Sequence, residues 1–148
     1  MARNFLLVDA HNVIFAHPEL AALHRKHPAN AREQLVHLLE RHQDAGDTRV
    51  VVVFDGGANT RPTSEVSNPA GVQVIYPQAG QTADAIIERL VVKYASLHRL
   101  TVATNDNLIR TAAVAAGAAT MDAESLFAEM DRCARELDET LKKLRRPR

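Results

Sequence analysis

Four short apolar runs rich in β-branched residues recur along this chain, and longer segments patterned at helical spacing lie between them. The runs are "NFLLV" (4–8), "RVVVVF" (49–54), "GVQVIY" (71–76) and "LTVAT" (100–104). A strand that is apolar throughout is covered on both faces, as in a parallel sheet sandwiched by helices. Helical patterns follow in "AREQLVHLLERHQDAG" (31–46), closing on Gly46, and in "TADAIIERLVVKYASLH" (82–98), with Thr82 at the N-cap position. A third, "NLIRTAAVAAG" (107–117), is Ala-rich and closes on Gly117. A short fifth strand is expected at about 118–120. A last helix from about Asp122 carries Leu126, Met130, Cys133, Leu137, Leu141 and Leu144 at helical spacing. This alternation predicts an α/β fold with a mainly parallel, doubly wound sheet and a C-terminal helix.

At 148 residues the chain has the length of one domain able to bury a core, and no linker or internal repeat divides it. Residues 1–148 are read as one domain, with 122–148 as C-terminal helix and basic tail. The lone cysteine, Cys133, rules out an internal disulfide framework, sits in an apolar stripe and is expected in the core. The first apolar run breaks at Asp9, too early for a signal-peptide core, and no run reaches membrane-spanning length. A cytoplasmic protein with no membrane partner is expected. Net charge is zero, but "KKLRRPR" (142–148) holds five of the 18 basic groups. Residues 1–141 therefore carry 13 basic against 18 acidic groups, a net of −5. Such a body suits the collection of carboxylates around a cation, with a basic tail added.

The acids fall in a telling place. Asp9 ends the first run, Asp55 ends the second, and Asp106 follows the fourth. In open α/β sheets ligands bind beyond the carboxyl ends of the strands, so acids far apart in sequence can meet there. Asp84 and Glu88, spaced i,i+4 on the helix of 82–98, have no basic residue at i±3 or i±4. A hard divalent ion bound through oxygens offsets such a collection of like charges. Each acid taken alone also has a purely structural reading. Asp106 can cap the helix starting at Asn107, Asp84 stands where the helix dipole favours negative charge, and "DGG" at Asp55 is an ordinary turn. Asp9 is harder to explain away, because His11 and Asn12 prolong a polar stretch inside an apolar segment.

Other chemistries lack their patterns. "GGANTRP" is not a P-loop, no GxSxG elbow occurs, and His11 stands where an aspartyl phosphatase needs its second Asp. His24 and His27, spaced i,i+3, read as surface residues rather than a zinc pair. The segment 56–71, "GGANTRPTSEVSNPAG", is long, polar and rich in Gly and Pro, as functional loops often are.

Taken together, "LLVDAHNVI", "VVVFDG", "TADAIIERLV" and "TVATND" resemble the NYN domain, in the YacP-like branch of the PIN-like nucleases, over roughly residues 4–130. The resemblance implies a three-layer α/β/α PIN-like fold and a carboxylate centre that binds Mg²⁺ or Mn²⁺ and cleaves RNA. Matched residue by residue, it puts the catalytic and metal-holding acids at Asp9, Asp84 and Asp106, with Asn12 as polar companion and Glu88 close by. The chain departs from the family at Ala10-His11, where Gly-Tyr is common. That exchange removes a ring able to stack on a base, which His11 replaces in part.

These readings converge on a metal-dependent endoribonuclease acting on single-stranded RNA. Asp55, Glu88, Thr104 and Asn105 join Asn12 as supporting or substrate-contacting residues. His11, Arg61, Lys142, Lys143, Arg145 and Arg146 are candidates for RNA contact. With aromatic residues at 4% of the chain, extensive base stacking is not expected. The competing reading is a non-catalytic module that binds RNA or the ribosome on the same fold. The retained acids argue against it, because a pure binder gains nothing from negative charge beside phosphates.

Overall fold

The computed structural model describes residues 3–55 and 71–145. Five strands form one all-parallel sheet: β1 (Asn4–Asp9), β2 (Arg49–Val53), β3 (Gln73–Ile75), β4 (Arg99–Ala103) and β5 (Ala119–Met121). Their spatial order is β3-β2-β1-β4-β5. The chain thus winds outward from β1 in one direction through β2 and β3, then returns to pair β4 on the other side of β1. The order reverses between β1 and β4, which makes their carboxyl ends the topological switch point.

Side chains alternate across the sheet and feed two cores. Leu6 and Val8 of β1 and Val50 and Val52 of β2 face one side. There they meet α1 (Ala10–Ala16), α2 (Pro18–Lys26), α3 (Pro28–Asp44) and α6 (Ala123–Arg145), through Val13, Ile14, Leu20, Leu35, Leu39 and Leu126. Leu7, Val53 and Val102 face the opposite side, against α4 (Ala83–Tyr94) and α5 (Asn107–Ala115), through Ile86, Ile87, Val91 and Ile109. Helices on both faces explain why Phe5–Val8 of β1 and Val50–Val53 of β2 are apolar without a break. Gln43, buried at the end of α3, accepts a hydrogen bond from the Val50 N–H at 2.7 Å and fixes the entry into β2. Among the described residues no helix is long and apolar enough to cross a membrane.

The α/β/α layering and parallel sheet agree with the sequence reading; several local expectations change. The sequence pattern assigns nothing to residues 10–30, where α1, α2 and the first turn of α3 form. Both α2 and α3 start with proline at N1, after His17 and His27, a placement in which the missing N–H costs nothing. The third strand shrinks to Gln73–Ile75, and α4 ends at Tyr94 rather than continuing to 98. Gly117 follows α5 with φ of +99°, as a helix-ending glycine does, whereas Gly46 lacks that conformation. Thr82 caps α4 as expected, its Oγ1 accepting from the Ala85 N–H at 3.1 Å.

The stripe on α6 is only half covered. Leu126 and Met130 are buried against α1 and α3, but Leu137, Leu141 and Leu144 are exposed. Cys133 is partly exposed and is not a core residue. The reason is geometric: α6 is 23 residues long, and its last turns run past the body that its first turns pack against.

Candidate functional site

Asp9 closes β1 and turns the chain into α1. It occupies the N-cap position of α1, yet its side chain makes no capping hydrogen bond. The carboxylate points across the switch point instead, where Oδ2 accepts from Thr104 Oγ1 at 2.9 Å. Thr104, wholly buried just beyond β4, also accepts at Oγ1 from the Asp106 N–H at 3.0 Å. One hydroxyl therefore spans the two strand ends and fixes Asp9 relative to Asp106.

Asp106 does two things at once. Its Oδ1 caps α5, accepting from the Leu108 N–H at 2.9 Å and the Ile109 N–H at 3.4 Å. Among the described residues its Oδ2 has no hydrogen bond, and this side chain still borders the acid cleft. The capping role is therefore seen directly, and it leaves the side chain on the cleft wall. The segment between β4 and α5 is held from two further directions. Asn12 Oδ1 accepts from the Asn105 N–H at 2.6 Å, and Asn105 Oδ1 accepts from the Ala123 N–H at 2.9 Å, at the start of α6.

Asp9, Asp55, Asp84 and Asp106 line one open cleft of about 460 Å³, with His11, Asn12, Phe15, Ala16 and Asn105 completing its wall. Four acids from the ends of three strands and the first turn of α4 thus share one space. Burial pushes the Asp9 carboxyl from its ordinary value up to about 6, against the Thr104 hydrogen bond, with Asp84, Asp55 and Asp106 adding repulsion. Asp84 is raised too, by burial first and then by Asp106, Asp55 and Glu88. Glu88 lies one turn along α4 and lines a different hollow, between α4 and α5. His11 Nδ1 lies 3.6 Å from Asp55 Oδ2 at the cleft mouth. Lys142, Lys143 and Arg145 are exposed on the last turn of α6, outside the cleft lining. Arg61 and Arg146 lie outside the described residues.

Residues 6–148 match the YacP-like NYN domain family. The chain belongs to that family. It is 30% identical over 142 residues to the uncharacterized protein YacP of Bacillus subtilis, covering 95% of this chain and 83% of that one. The crystal structure of Rae1 (YacP) from Bacillus subtilis superimposes with a TM-score of 0.79 at 30% identity, covering 95% of this chain and 81% of that chain. A single-substitution mutant of the same protein gives 0.81 at 29% identity, covering 98% and 85%. Membership in the YacP-like NYN family gives the chain a nuclease-like, RNA-related character.

The donor set bears on which ion it could hold. Among the described residues no three side chains of His, Cys, Asp or Glu stand close enough to enclose an ion by themselves. The cleft is nevertheless rimmed by hard oxygens, and the buried Asp9 carries negative charge at a cost. That combination fits Mg²⁺ or Mn²⁺, which keep several waters and take only one or two carboxylates with substrate phosphates. It does not fit a closed zinc site. Sequence reasoning missed Phe15, which lines the cleft, and His24, whose ring touches those of His11 and Phe15, because it assigned no helix to the segment that presents them.

Proposed function

We propose that the chain is a divalent-metal-dependent endoribonuclease acting on single-stranded RNA, with Asp9, Asp84 and Asp106 holding Mg²⁺ or Mn²⁺ directly or through water. The observation that carries this reading is Asp9: a buried carboxylate at the switch point, spent on no helix cap and facing three neighbouring acids across one cleft. The Thr104 hydrogen bond offsets only part of the cost of its burial, and a cation would offset the rest.

A bound divalent ion supplies a nucleophilic water at neutral pH and neutralises charge at the scissile phosphate. The chain's own residues supply position. Thr104 orients Asp9 through Oδ2 and leaves Oδ1 without a hydrogen bond among the described residues. Asp106 is held by its own cap, so its second oxygen is presented to the cleft from a fixed backbone. Asn12 and Asn105 use their side-chain oxygens on backbone N–H groups, so their amide Nδ2 groups are the donors left for a phosphate oxygen or a water. Asp55 and Glu88 contribute field rather than contact in this reading. The open cleft and its single large ring suit a flexible strand better than a rigid duplex.

The test is digestion of end-labelled single-stranded and duplex RNA in Mn²⁺, in Mg²⁺ and after chelation. The wild type should cut the single strand internally and only with metal, and Asp9→Asn should not cut. If Asp9→Asn cuts at the wild-type rate, the nuclease reading is wrong.

A further inference from the structure

Phe15 is about half exposed at 48%, although it is a large apolar ring on a helix whose Val13 and Ile14 are fully buried. Among the described residues it is the one exposed aromatic, and no other exposed large apolar side chain lines the acid cleft. His11 stands one turn before it on α1, and His24 reaches it from α2. The three rings touch pairwise, with centroids 4.6 Å apart for His11 and Phe15, 4.9 Å for Phe15 and His24, and 5.4 Å for the two histidines. Every pair is steeply tilted, at 60° to 82°, so none of these rings lies flat on another. The core pair Phe54 and Tyr76, by contrast, is stacked at 16°.

We infer that Phe15, braced by His11 and His24, is a stacking site for one base of a single-stranded RNA whose backbone passes the acids. Tilted neighbours brace the Phe15 ring without lying flat against it, and the ring stays about half exposed, which is what a stacking platform needs. Every nucleobase has a flat π-face, so such a site takes any base and reads position along the strand rather than sequence. His24 is held below its ordinary pKa by burial first, then by His11 and Arg32, so its ring is neutral at pH 7 and braces as an uncharged edge. His11 Nδ1 also lies 3.6 Å from Asp55 Oδ2. The site rests on the proposed function only for which polymer enters the cleft, and it limits stacking to one base, in keeping with the low aromatic content.

Single-stranded RNA oligomers carrying 2-aminopurine at one position each test this in stopped flow with Mn²⁺ and excess protein. A binding quench and the later cleavage are then read from the same sample. The wild type should quench the probe at one position near the cleavage site. Phe15→Ala and Phe15→Leu should lose that quench and need about 30-fold more protein for half-saturation, the middle of the range for one stacked base. Phe15→Tyr should keep both. The cleavage rate at saturating protein should fall less than the half-saturation point moves. If Phe15→Ala quenches and saturates like the wild type, or if the wild type quenches at no position, the stacking site is wrong. A wild type that quenches but never cuts leaves the stacking site standing and sinks the nuclease reading.

Discussion

Thr104 illustrates how much of the site hangs on one buried hydroxyl. It donates to Asp9 and accepts from Asp106, so removing it strands a carboxylate oxygen and an N–H inside the protein. Thr104→Val should cost roughly 1–3 kcal/mol of stability. Because the Thr104 hydrogen bond lowers the Asp9 pKa, its loss raises that pKa further. The acid limb of the pH–rate profile should therefore move to higher pH in Thr104→Val and return in Thr104→Ser. Asp106 separates its two roles by chemistry. Asp106→Asn keeps an oxygen for the Leu108 and Ile109 N–H groups and should melt near the wild type while losing cleavage. Asp106→Ala should lose cleavage and about 0.5–2 kcal/mol as well, as measured by denaturant titration. Asp9, Asp55 and Asp106 were legible in the sequence because each follows an apolar run that reads as a strand, and Asp84 because it pairs with Glu88 on a helix with no basic neighbour. The Thr104 bridge was not, since its two ends come together only when residues 95 apart in the chain meet across neighbouring strands. The sequence offers Thr104 as a supporting or substrate-contacting residue; the structure buries it fully and uses its hydroxyl on Asp9 and Asp106.

At the scale of elements, the sheet and the helices α3 to α6 announce themselves by period, whereas α1 and α2 do not. With seven residues α1 has too few turns for a periodic stripe to stand out, and α2, at nine as short as α5, lacks the closing glycine that marks α5. The local signal there is proline at N1, in "HPEL" for α2 and in "HPAN" for α3, and α1 has no such mark. Missing α1 hid the i,i+4 relation of His11 and Phe15, and with it the ring cluster at the cleft mouth. The error on α6 runs the other way. A perfect apolar stripe says which face would be buried, but not how far the body extends beneath it. The exposed end of α6 is also where the basic residues lie. Truncation after Leu141 should leave the fold unchanged, because the buried positions of α6 end at Met130. If these cations touch phosphates, the truncated protein should bind single-stranded RNA more weakly. Its salt slope should then be shallower by about 0.7 for each phosphate that the tail no longer neutralises. An unchanged slope in fluorescence anisotropy titrations would assign the tail to solubility alone.

For the molecule as a whole, the doubly wound order places the reversal between β1 and β4, and every acid of the cleft arrives there by topology rather than by sequence proximity. That convergence has a thermodynamic signature. The folded pKa of Asp9 is about 6 against 3.8 in the unfolded chain, a raised value. Its contribution to stability is therefore full below pH 3.8 and is lost as pH rises through 6. Asp84 is shifted in the same direction. The metal-free protein should lose up to about 3 kcal/mol through Asp9 between pH 4 and pH 7.5, relative to Asp9→Asn. A cation that binds only the ionised site should restore this, by about 2.7 kcal/mol at 100 times its dissociation constant. The most direct measurement is thermal unfolding at pH 7.5, with and without Mn²⁺, of the wild type and of Asp9→Asn, Asp84→Asn and Asp106→Asn. Metal-free Asp9→Asn should melt above the metal-free wild type, and Mn²⁺ should raise the wild type far more than any of the three variants. Equal Mn²⁺ shifts in all four proteins would contradict a metal site built from these acids.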